Sequence, residues 1–436
     1  MKTFTELGVK PEIVRALEED KIYNPTNIQI QSIPNIHLGK DLIGMSRTGS
    51  GKTAAFGVPI LEKMKKSQGL QTIILTPTRE LAVQISREMQ KWAKYTELKI
   101  CTVYGGVAYE PQIENLKTSE IMVGTPGRVL DLLQKGYLKL HQLTTFVLDE
   151  ADKMVEMGFI EDIEQVLSQS PKGRQIILFG ATISGEIEHI KKAYMNEPVT
   201  AESELHVTKD LLKQYYYEIS HHEKFSLLVH LLKKEETDRV MIFCSSRSTV
   251  ELVHKNLRNQ NIRAEMIHGK LAQNKRQRVI DGFNKGKPKI LIASAVAARG
   301  LDIQDVTHVF NYDLSKDPQE YIHRVGRTAR AGAEGVAFTL LSEKDHDTFD
   351  QIMRRYNIPV ELLPKEKFEP LRFETGQNKR FGDRQNHHHQ GDRKDFKPSF
   401  KGRGSSDGRS SSDGRSNASN SFARPKNRLA SSGWNA

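Results

Sequence analysis

Several features that mark membrane-spanning, secreted and disulfide-bonded proteins are missing from this sequence of 436 residues. It contains no run of about 18 uninterrupted apolar residues, which argues against a membrane span. Residues 1–6 carry no apolar signal core, so we do not expect secretion. Only two cysteines occur, Cys101 and Cys244, each inside an apolar run, and we expect them to be buried thiols in a reducing compartment. These absences predict a cytoplasmic protein.

Acidic residues are scarce at one end of the chain, and most of the net charge of +11 lies there. Residues 372–436 hold 14 Lys and Arg against 6 Asp and Glu, a net charge of +8, which leaves +3 for residues 1–371. Such a polar segment cannot bury enough surface to offset its ordering entropy, so we expect residues 371–436 to form a disordered basic tail. Its Phe residues, interleaved with Arg and Lys, suit stacking on unpaired bases of a nucleic acid, and a solubilising tail is the alternative.

Short apolar runs alternate with amphipathic stretches in the rest of the chain, which is too long for a single core. The predicted strands of the first half are 41–43, 72–75, 100–104, 121–123, 146–148 and 175–179, with helices such as 80–95 and 129–134 between them. A second series lies at 215–219, 240–243, 264–267, 290–293, 308–310 and 336–340. This βαβ rhythm predicts an α/β protein with two parallel-sheet domains. We place them at residues 1–205 and 206–370, joined by the polar segment 197–210.

One glycine-rich turn follows the first predicted strand and precedes a segment compatible with a helix. Gly49 and Gly51 would let backbone N–H groups surround phosphate oxygens, Lys52 would reach the β- and γ-phosphates, and Thr53 would bind Mg²⁺. The strict pattern G-x-x-x-x-G-K-[ST] is missed by one residue, because Ser46 stands where the first glycine belongs. The turn predicts nucleotide binding, with an ordinary glycine turn as the alternative.

The apolar run 146–148 ends in two carboxylates, Asp149 and Glu150. Phosphate-loop enzymes need an acidic side chain on a neighbouring strand to hold Mg²⁺ and a carboxylate to position the attacking water. Asp149 suits the first role and Glu150 the second. An acidic pair in this place is otherwise typical of a helix N-cap. Its position after a phosphate loop favours the catalytic interpretation.

The run Asp149-Glu150-Ala151-Asp152 spells the signature of the DEAD-box RNA helicases, and the sequence resembles that family from residue 4 to about residue 342. Further matches occur in the family's order, at 25–29, 77–81, 105–106, 125–128, 242–244, 273–276, 297–302 and 323–330. The resemblance implies two tandem RecA-like domains that bind RNA and hydrolyse ATP with Mg²⁺. It also implies local unwinding, in which closure of the domains bends one RNA strand and hydrolysis then allows release.

The resemblance also implies roles for individual residues. Those expected to bind ATP are Phe4, Gln29, Ser46, Thr48, Gly49, Ser50, Gly51, Lys52, Thr53, Gly300 and Asp302. Those expected to be catalytic are Lys52, Asp149, Glu150, Arg327 and Arg330, with Thr53 and Asp149 holding Mg²⁺ partly through water. Those expected to contact RNA, mostly at its backbone, are Pro77, Thr78, Arg79, Gly106, Thr125, Gly127, Arg128, Gly269 and Ser294. Those expected to couple the domains are Asp152, Gly180, Thr182 and His323.

Arg327 and Arg330 lie three residues apart, so they can point together into a site whose phosphate loop belongs to the other domain. Arginines supplied across a cleft stabilise charge on the transferring phosphoryl group, with an effect of roughly 10³–10⁵ in rate. Hydrolysis would therefore depend on closure of the domains. A solvated basic helix that also includes Arg324 is the alternative.

Several positions depart from the family pattern. Ser46 replaces an alanine, Ala295 replaces an aspartate, and Ala329 replaces a glycine. Gly180 replaces a serine and lacks a hydroxyl that in the family helps to link hydrolysis to unwinding. None of these changes removes a group needed for ATP hydrolysis.

The sequence thus predicts an ATP-dependent RNA helicase or RNA chaperone that binds RNA with little sequence preference. An ATP-gated RNA clamp or scaffold with weak unwinding is the alternative that Gly180 leaves open, and a DNA motor is a third. Ribosomal or RNA-decay assemblies are candidate partners between which the sequence does not decide.

Overall fold

The computed structural model describes residues 2–46, 49–203, 211–235, 237–298, 303, 306–315, 317–329, 334–356 and 359–375. Four residues predicted to serve the ATP site lie outside this part of the chain, namely Thr48, Gly300, Asp302 and Arg330. The predicted basic tail also lies outside it from residue 376 onward. We call residues 2–203 the first lobe and residues 211–375 the second lobe.

The described residues form two parallel sheets of seven strands each. The strands of the first lobe are β1 (Leu42–Met45), β2 (Thr72–Leu75), β3 (Ile100–Val103), β4 (Ile121–Gly124), β5 (Thr145–Leu148), β6 (Gln175–Gly180) and β7 (Val199–Glu202). The strands of the second lobe are β8 (Leu212–Glu218), β9 (Val240–Cys244), β10 (Glu265–Ile267), β11 (Ile290–Ser294), β12 (His308–Asn311), β13 (Gly335–Leu341) and β14 (Glu361–Leu362).

Helices connect these strands. Those of the first lobe are α1 (Pro11–Glu19), α2 (Asn27–His37), α3 (Lys52–Lys63), α4 (Arg79–Trp92), α5 (Glu110–Leu116), α6 (Pro126–Gln134), α7 (Ala151–Glu156), α8 (Ile160–Ser168) and α9 (Gly185–Tyr194). Those of the second lobe are α10 (Lys224–Lys234), α11 (Arg247–Asn259), α12 (Gln273–Asn284), α13 (Ala295–Ala298), α14 (Pro318–Val325) and α15 (His346–Tyr356). Short 3₁₀ helices lie at Ala93–Tyr95 and Glu343–Asp345.

The two sheets share one topology. The strand order is β3-β4-β2-β5-β6-β1-β7 in the first lobe and β10-β11-β9-β12-β13-β8-β14 in the second. Counted from the first strand of each lobe, both orders read 3-4-2-5-6-1-7, and every pair is parallel. The prediction of two similar α/β units is confirmed, whereas the proposed boundary at residues 205 and 206 stays a prediction.

Helices cover both faces of each sheet, which explains why the central strands are continuous apolar runs. In β2, all four residues are buried. Ile74 belongs to a core cluster with Phe56 and Ile85, whereas Ile73 belongs to a second cluster with Met154. Because successive side chains of a strand point to opposite faces, these clusters lie on the two sides of the first sheet.

Two segments are more ordered than their sequence suggests. The predicted joint 197–210 contains β7, which pairs with β1 as an edge strand. Residues 363–375, which we call the C-terminal strap, pack on the second lobe, where Leu371 and Phe373 join the core cluster of α10 and α11. The strap includes residues 371–375, which the sequence assigns to the tail.

Neither cysteine forms a disulfide, and both are buried. Burial raises the pKa of the Cys101 thiol to about 12 and that of the Cys244 thiol well above its ordinary value. No helix in the described ranges has both the length and the apolar character needed to cross a bilayer.

Candidate active site

The glycine-rich turn connects β1 to α3 at the carboxyl edge of the first sheet. Gly49 and Gly51 have φ angles of 83° and 90°, the left-handed region that glycine adopts without a steric penalty. A Cβ at Gly51 would overlap the amide of Gln29. The turn leads directly to Lys52 at the first position of α3, so the positive end of this helix lies where an anion can bind.

Gln29 braces this turn. It is only 2% exposed, although a lone glutamine is expected on the surface. Its Nε2 donates to the Gly51 carbonyl at 2.9 Å, and its Oε1 accepts from the Thr26 N–H at 3.0 Å. The Thr26 hydroxyl donates to the Ser50 carbonyl at 2.8 Å. The segment at 25–29 therefore holds the backbone of the loop, and the reading of adenine by Gln29 stays a prediction.

Phe4 lies in the core of the first lobe. It is 2% exposed and shares a hydrophobic cluster with Leu7, Val9 and Ile13. Its side chain thus already packs against the start of the chain, and its stacking on adenine stays a prediction.

Ser46, the residue that departs from the loop pattern, fits its position. The Ser50 hydroxyl donates to the Ser46 hydroxyl at 3.0 Å, and the Ser46 N–H donates to the Gly180 carbonyl at 3.2 Å. Lys52 Nζ donates to the Ser46 carbonyl at 3.4 Å. The hydrogen bond to Gly180, the last residue of β6, thereby connects the loop to the neighbouring strand.

Asp149 lies at the carboxyl end of β5, two strands from β1 in the same sheet. It is fully buried, and this burial raises its pKa to about 6. The positive charge of Lys52 opposes the rise, while the charges of Glu150 and Asp152 add to it. A carboxylate that is desolvated to this degree is well placed to bind a cation.

Glu150 adopts a left-handed conformation, with φ of 53°, directly before α7. This conformation costs a non-glycine residue of order 1–3 kcal/mol and is concentrated at functional sites. Although Glu150 occupies the N-cap position, its side chain makes no capping hydrogen bond. The capping role that the sequence leaves open for the pair is therefore absent for Glu150, and its half-buried carboxylate stays available for chemistry.

Thr53 and Asp149 offer one hydroxyl and one carboxylate oxygen, and this hard donor set fits Mg²⁺. Magnesium is usually held by one or two protein groups together with substrate phosphates and water. The described residues contain no cluster of three or more His, Cys, Asp or Glu that could hold a metal by itself. We expect Thr53 and Asp149 to hold Mg²⁺ together with the phosphates of a bound nucleotide.

Replacing Asp149 by asparagine should stabilise the nucleotide-free chain at pH 7.5. Because the folded-state pKa of about 6 exceeds the ordinary 3.8, the ionised carboxylate opposes folding above pH 6, and this cost disappears as the pH falls below 3.8. The shift corresponds to roughly 3 kcal/mol at pH 7.5. Melting curves should show a higher midpoint for Asp149→Asn at pH 7.5 and a smaller gain at pH 5. If Asp149→Asn raised the melting midpoint no more than the exposed control Glu18→Gln, the ionised Asp149 carboxylate would not oppose folding as we expect.

In the second lobe, Arg327 is buried and lies two residues beyond the end of α14, and its role at the ATP site stays a prediction. Arg324 on the same helix has a different role, since its Nη1 donates to the Asp313 carbonyl at 2.7 Å and its Nε donates to Glu320 at 2.9 Å. The idea of a solvated basic helix is wrong for Arg324, which ties α14 to the end of β12. His323 is half-buried on α14, and its role between the lobes stays a prediction.

Ala329, which stands where the family has glycine, adopts φ of 55°. This left-handed backbone suits glycine and strains alanine. The departure from the pattern therefore leaves a strained residue two positions after Arg327.

The predicted RNA contacts of the first lobe gather at one edge. Strands β3, β4 and β2 are neighbours, and the loops that follow them carry Gly106, Thr125 and Thr78. Thr78 caps α4 by accepting from the Leu81 N–H at 3.3 Å. Gly106 has φ of 82°, and a Cβ there would overlap the Arg79 guanidinium. The glycine turn thus lets Arg79 lie against the backbone of the loop after β3.

Arg128 also contacts this loop. Its guanidinium lies 4.0 Å from the centroid of the Tyr109 ring, and its Nη2 donates to the Val107 carbonyl at 3.1 Å. Arg128 therefore orders the loop in the described structure, and its direct contact with RNA stays a prediction. In the second lobe, Gly269 follows β10 and Ser294 ends the neighbouring β11, so these two predicted contacts share an edge as well.

Three of the residues predicted to couple the lobes, Asp152, Gly180 and Thr182, lie in or beside the turn that follows β6, whose Gly180 carbonyl accepts from the Ser46 N–H. Asp152 on α7 accepts from the Ala181 N–H at 3.2 Å, which joins α7 to the turn after β6. Gly180 and Thr182 flank that turn. A Cβ at Gly180 would lie 3.5 Å from Asp152 Oδ1, an ordinary contact distance, so the missing serine would fit.

A contact between the lobes involves Glu80, to which the sequence motifs assign no role. Glu80 Oε1 lies 2.6 Å from Arg276 Nε and accepts from Gln273 Nε2 at 3.0 Å. Arg276 Nη2 also donates to the Ala297 carbonyl at 3.2 Å. Glu80 is in the first turn of α4, directly after Arg79, so the contact links the predicted RNA edge to α12. The two charged residues lie in separate motifs, and no sequence pattern identified them as partners.

Comparison with known proteins decides the family. The model of the DEAD/DEAH box helicase domain matches residues 26–190, and that of the helicase conserved C-terminal domain matches residues 223–332. The chain is 42% identical over 366 residues to the DEAD-box ATP-dependent RNA helicase CshA of Geobacillus kaustophilus, covering 83% of this chain and 78% of that protein. This chain belongs to the DEAD-box ATP-dependent RNA helicases.

Other members of the DEAD-box family agree with this result. The ATP-dependent RNA helicase CshA of Listeria monocytogenes is 40% identical over 378 residues, covering 86% of this chain and 71% of that protein. Among solved structures, S. cerevisiae Dbp5 bound to RNA and ADP BeF3 matches with a TM-score of 0.76 at 31% identity, over 84% of this chain and 96% of the other. The two sheets are therefore tandem RecA-like domains. As a DEAD-box helicase, the chain hydrolyses ATP in an RNA-dependent manner.

Proposed function

We propose that this DEAD-box helicase separates RNA duplexes locally, by closing its two lobes on one strand. The observation that carries the proposal is the contact of Glu80 with Arg276 and Gln273. It places the bridge between the lobes directly beside Thr78 and Arg79, which we expect to hold the RNA backbone. RNA bound at this edge would favour the closed arrangement, and closure would bring Arg327 to the ATP site.

The residues of the ATP site would divide the work as follows. The turn at Gly49 and Gly51 and the start of α3 would bind the phosphates, with Lys52 against the γ-phosphate. Mg²⁺, held by Thr53 and Asp149, would supply positive charge to the phosphate oxygens. Glu150 would orient the attacking water and accept its proton.

Arg327, together with Arg330, would stabilise the charge that develops on the transferred phosphoryl group. Asp152, which accepts from the Ala181 N–H, would couple movements at the ATP site to the turn at Gly180 and Thr182. Because the RNA contacts fall on backbone groups, binding would have little sequence preference.

A paired measurement of ATP hydrolysis and duplex displacement tests this function. We expect the wild-type chain to displace a short RNA duplex with ATP, and we expect Gly180→Ser to displace more duplex per ATP, because the added hydroxyl faces Asp152. Hydrolysis without displacement would favour the clamp. Equal stimulation of the ATPase by DNA and RNA would favour a DNA motor.

The basic tail would keep RNA near the helicase core. Its net charge of +8 supports this role, and the strap shows where a deletion must begin, since Phe373 and Glu374 contact the second lobe. Removing residues 376–436 should weaken RNA binding and flatten its salt dependence, because fewer counterions are released, while the RNA-free ATPase stays unchanged. Fluorescence anisotropy at several salt concentrations measures both effects. Unchanged affinity would make the tail a spacer.

We also place the helicase in the cytoplasm, because two buried and unpaired thiols suit a reducing compartment. Ribosomal and RNA-decay assemblies are candidate partners. Co-purification of the tagged chain from cells with and without nuclease treatment tests these assemblies. Loss of every partner after nuclease treatment would mean that RNA alone connects them.

A further inference from the structure

A second concentration of positive charge lies within the folded part of the chain. Residues 254–289 hold 10 Lys and Arg against 2 Asp and Glu, a net charge of +8. Since residues 1–371 carry only +3 in total, the rest of that part is net acidic. Positive charge confined to one part of a surface is the usual footprint of a polyanion site.

Three of these ten basic residues line a cavity at the edge of the second sheet. The cavity measures about 630 Å³, and the residues lining it include His254, Arg258, Arg263, Glu265, Lys275 and Pro288. They come from α11, from the loop between α11 and β10, from β10, from the start of α12 and from the loop before β11. Glu265 is the acidic member of this lining.

Three basic side chains at the cavity have no acidic partner among the residues that the structure describes. Arg258, Arg263 and Lys275 are exposed and form no ion pair with any carboxylate in the described part of the chain. Their basic neighbours differ, since Lys255 pairs with Glu374 at 2.7 Å and Arg276 pairs with Glu80. His254 is held by the Ala264 carbonyl at 3.1 Å, which fixes one wall of the cavity.

The position of β10 connects this cavity to the predicted RNA contacts. β10 is an edge strand that, among the described strands, pairs only with β11, and its residues Glu265 and Met266 line the cavity. Gly269, a predicted RNA contact, follows Glu265 by four residues, a span of roughly 13 Å at most. An RNA strand that is bound at Gly269 and continues along this edge would therefore reach the cavity within a few nucleotides.

We propose that this cavity is a second binding site for the sugar–phosphate backbone of single-stranded RNA, formed by Arg258, Arg263 and Lys275. The inference rests on the proposed function, because it extends the path of the RNA strand beyond Gly269. The site binds the flank of the strand that the two lobes hold, and it also lies near the start of the basic tail, since Glu374 of the strap and Asn256 on α11 share two hydrogen bonds of 2.8 and 3.1 Å.

The test compares two triple variants with the same change in charge. Arg258→Gln, Arg263→Gln and Lys275→Gln remove the proposed contacts. Lys139→Gln, Lys172→Gln and Lys192→Gln are the control, because these lysines are exposed in the first lobe. Both full-length variants and the wild-type chain are titrated with short and long single-stranded poly-U by fluorescence anisotropy, with the RNA-saturated ATPase and melting midpoint as checks of folding.

The cavity variant should bind long RNA more weakly than the control and wild type, with unchanged binding of short RNA. Three lost phosphate contacts should reduce the slope of log affinity against log salt by roughly 2, at about 0.7 per contact. The ratio of the wild-type affinity for long RNA to that of the cavity variant should then fall roughly 16-fold between 50 and 200 mM salt. Ultraviolet crosslinks from long RNA, and not from short RNA, should map to residues 254–289.

Three outcomes would overturn the inference. The cavity variant could match the control on long RNA, or it could lose short and long RNA equally, which would place these residues among the core contacts. It could also lose binding of poly-glutamate while RNA binding is unchanged, which would indicate an acidic protein partner. Failure of the wild-type chain to bind or respond to any RNA would instead refute the proposed function itself.

Discussion

Glu150→Gln is expected to lower ATP turnover by roughly 10²–10⁴-fold, the usual contribution of a positioned general base. The amide has nearly the same size as the carboxylate but cannot accept the proton of the attacking water. The backbone of Glu150 is held at φ of 53° by its surroundings, so the variant should keep the local fold. Binding of ATP and RNA should therefore persist, and the closed complex should accumulate.

Single-turnover hydrolysis and RNA anisotropy with ATP measure the two halves of this expectation. The control is Glu161→Gln, an exposed carboxylate on α8 that should have no effect. Removing the charge of Glu150 also removes one cause of the raised pKa of Asp149. The pH below which nucleotide binding weakens should therefore be lower in the variant than in the wild type. Turnover close to the wild-type value would remove Glu150 from its proposed role.

Disrupting the pair of Glu80 and Arg276 should reduce RNA-dependent ATP hydrolysis by roughly 10²–10³-fold. The side chains are only 7% and 12% exposed, and removing one partner leaves an uncompensated buried charge, which costs about 3–5 kcal/mol. The cost applies only while the lobes are in contact. RNA-free hydrolysis and the stability of each lobe should change far less.

The same two helices supply a matched control. Arg87 on α4 and Asp281 on α12 lie 3.4 Å apart, but their side chains are 55% and 44% exposed. Such surface pairs contribute about 0–1 kcal/mol, so Arg87→Ala should lower the RNA-dependent rate less than about fivefold. The measurement is a double-mutant cycle with Glu80→Ala and Arg276→Ala, read from the rate against RNA concentration. Additive effects in that cycle, or an effect of Arg276→Ala no larger than that of Arg87→Ala, would contradict the bridge.

The strands of both sheets could be predicted from the sequence because each is a short apolar run between polar turns. β9, for example, is predicted at 240–243 and found at Val240–Cys244. Two edge strands escaped this rule. β7 has three polar or half-exposed positions out of four, and β14 has only two residues, both exposed. β7 and β14 bury little surface, so the hydrophobic pattern carries little information about these two strands.

The ATP site could be predicted further than the contact between the lobes. Lys52, Asp149 and Glu150 belong to runs whose spacing has a local chemical reason. Glu80 and Arg276 are 196 positions apart in the chain, and no local pattern marks two charged residues as partners. Gln29 is similar, because only the folded structure shows that its amide supports the carbonyl of Gly51.

The buried state of both cysteines has a practical consequence. Thiol reagents attack exposed thiolates, so Cys101 and Cys244, with strongly raised pKa values, should stay unmodified under mild labelling conditions. Fluorophores can then be attached to new cysteines, such as at the exposed positions Lys139 and Glu343, without removing the native ones. The opening and closing of the two RecA-like domains thereby becomes visible in single molecules of an otherwise unaltered protein.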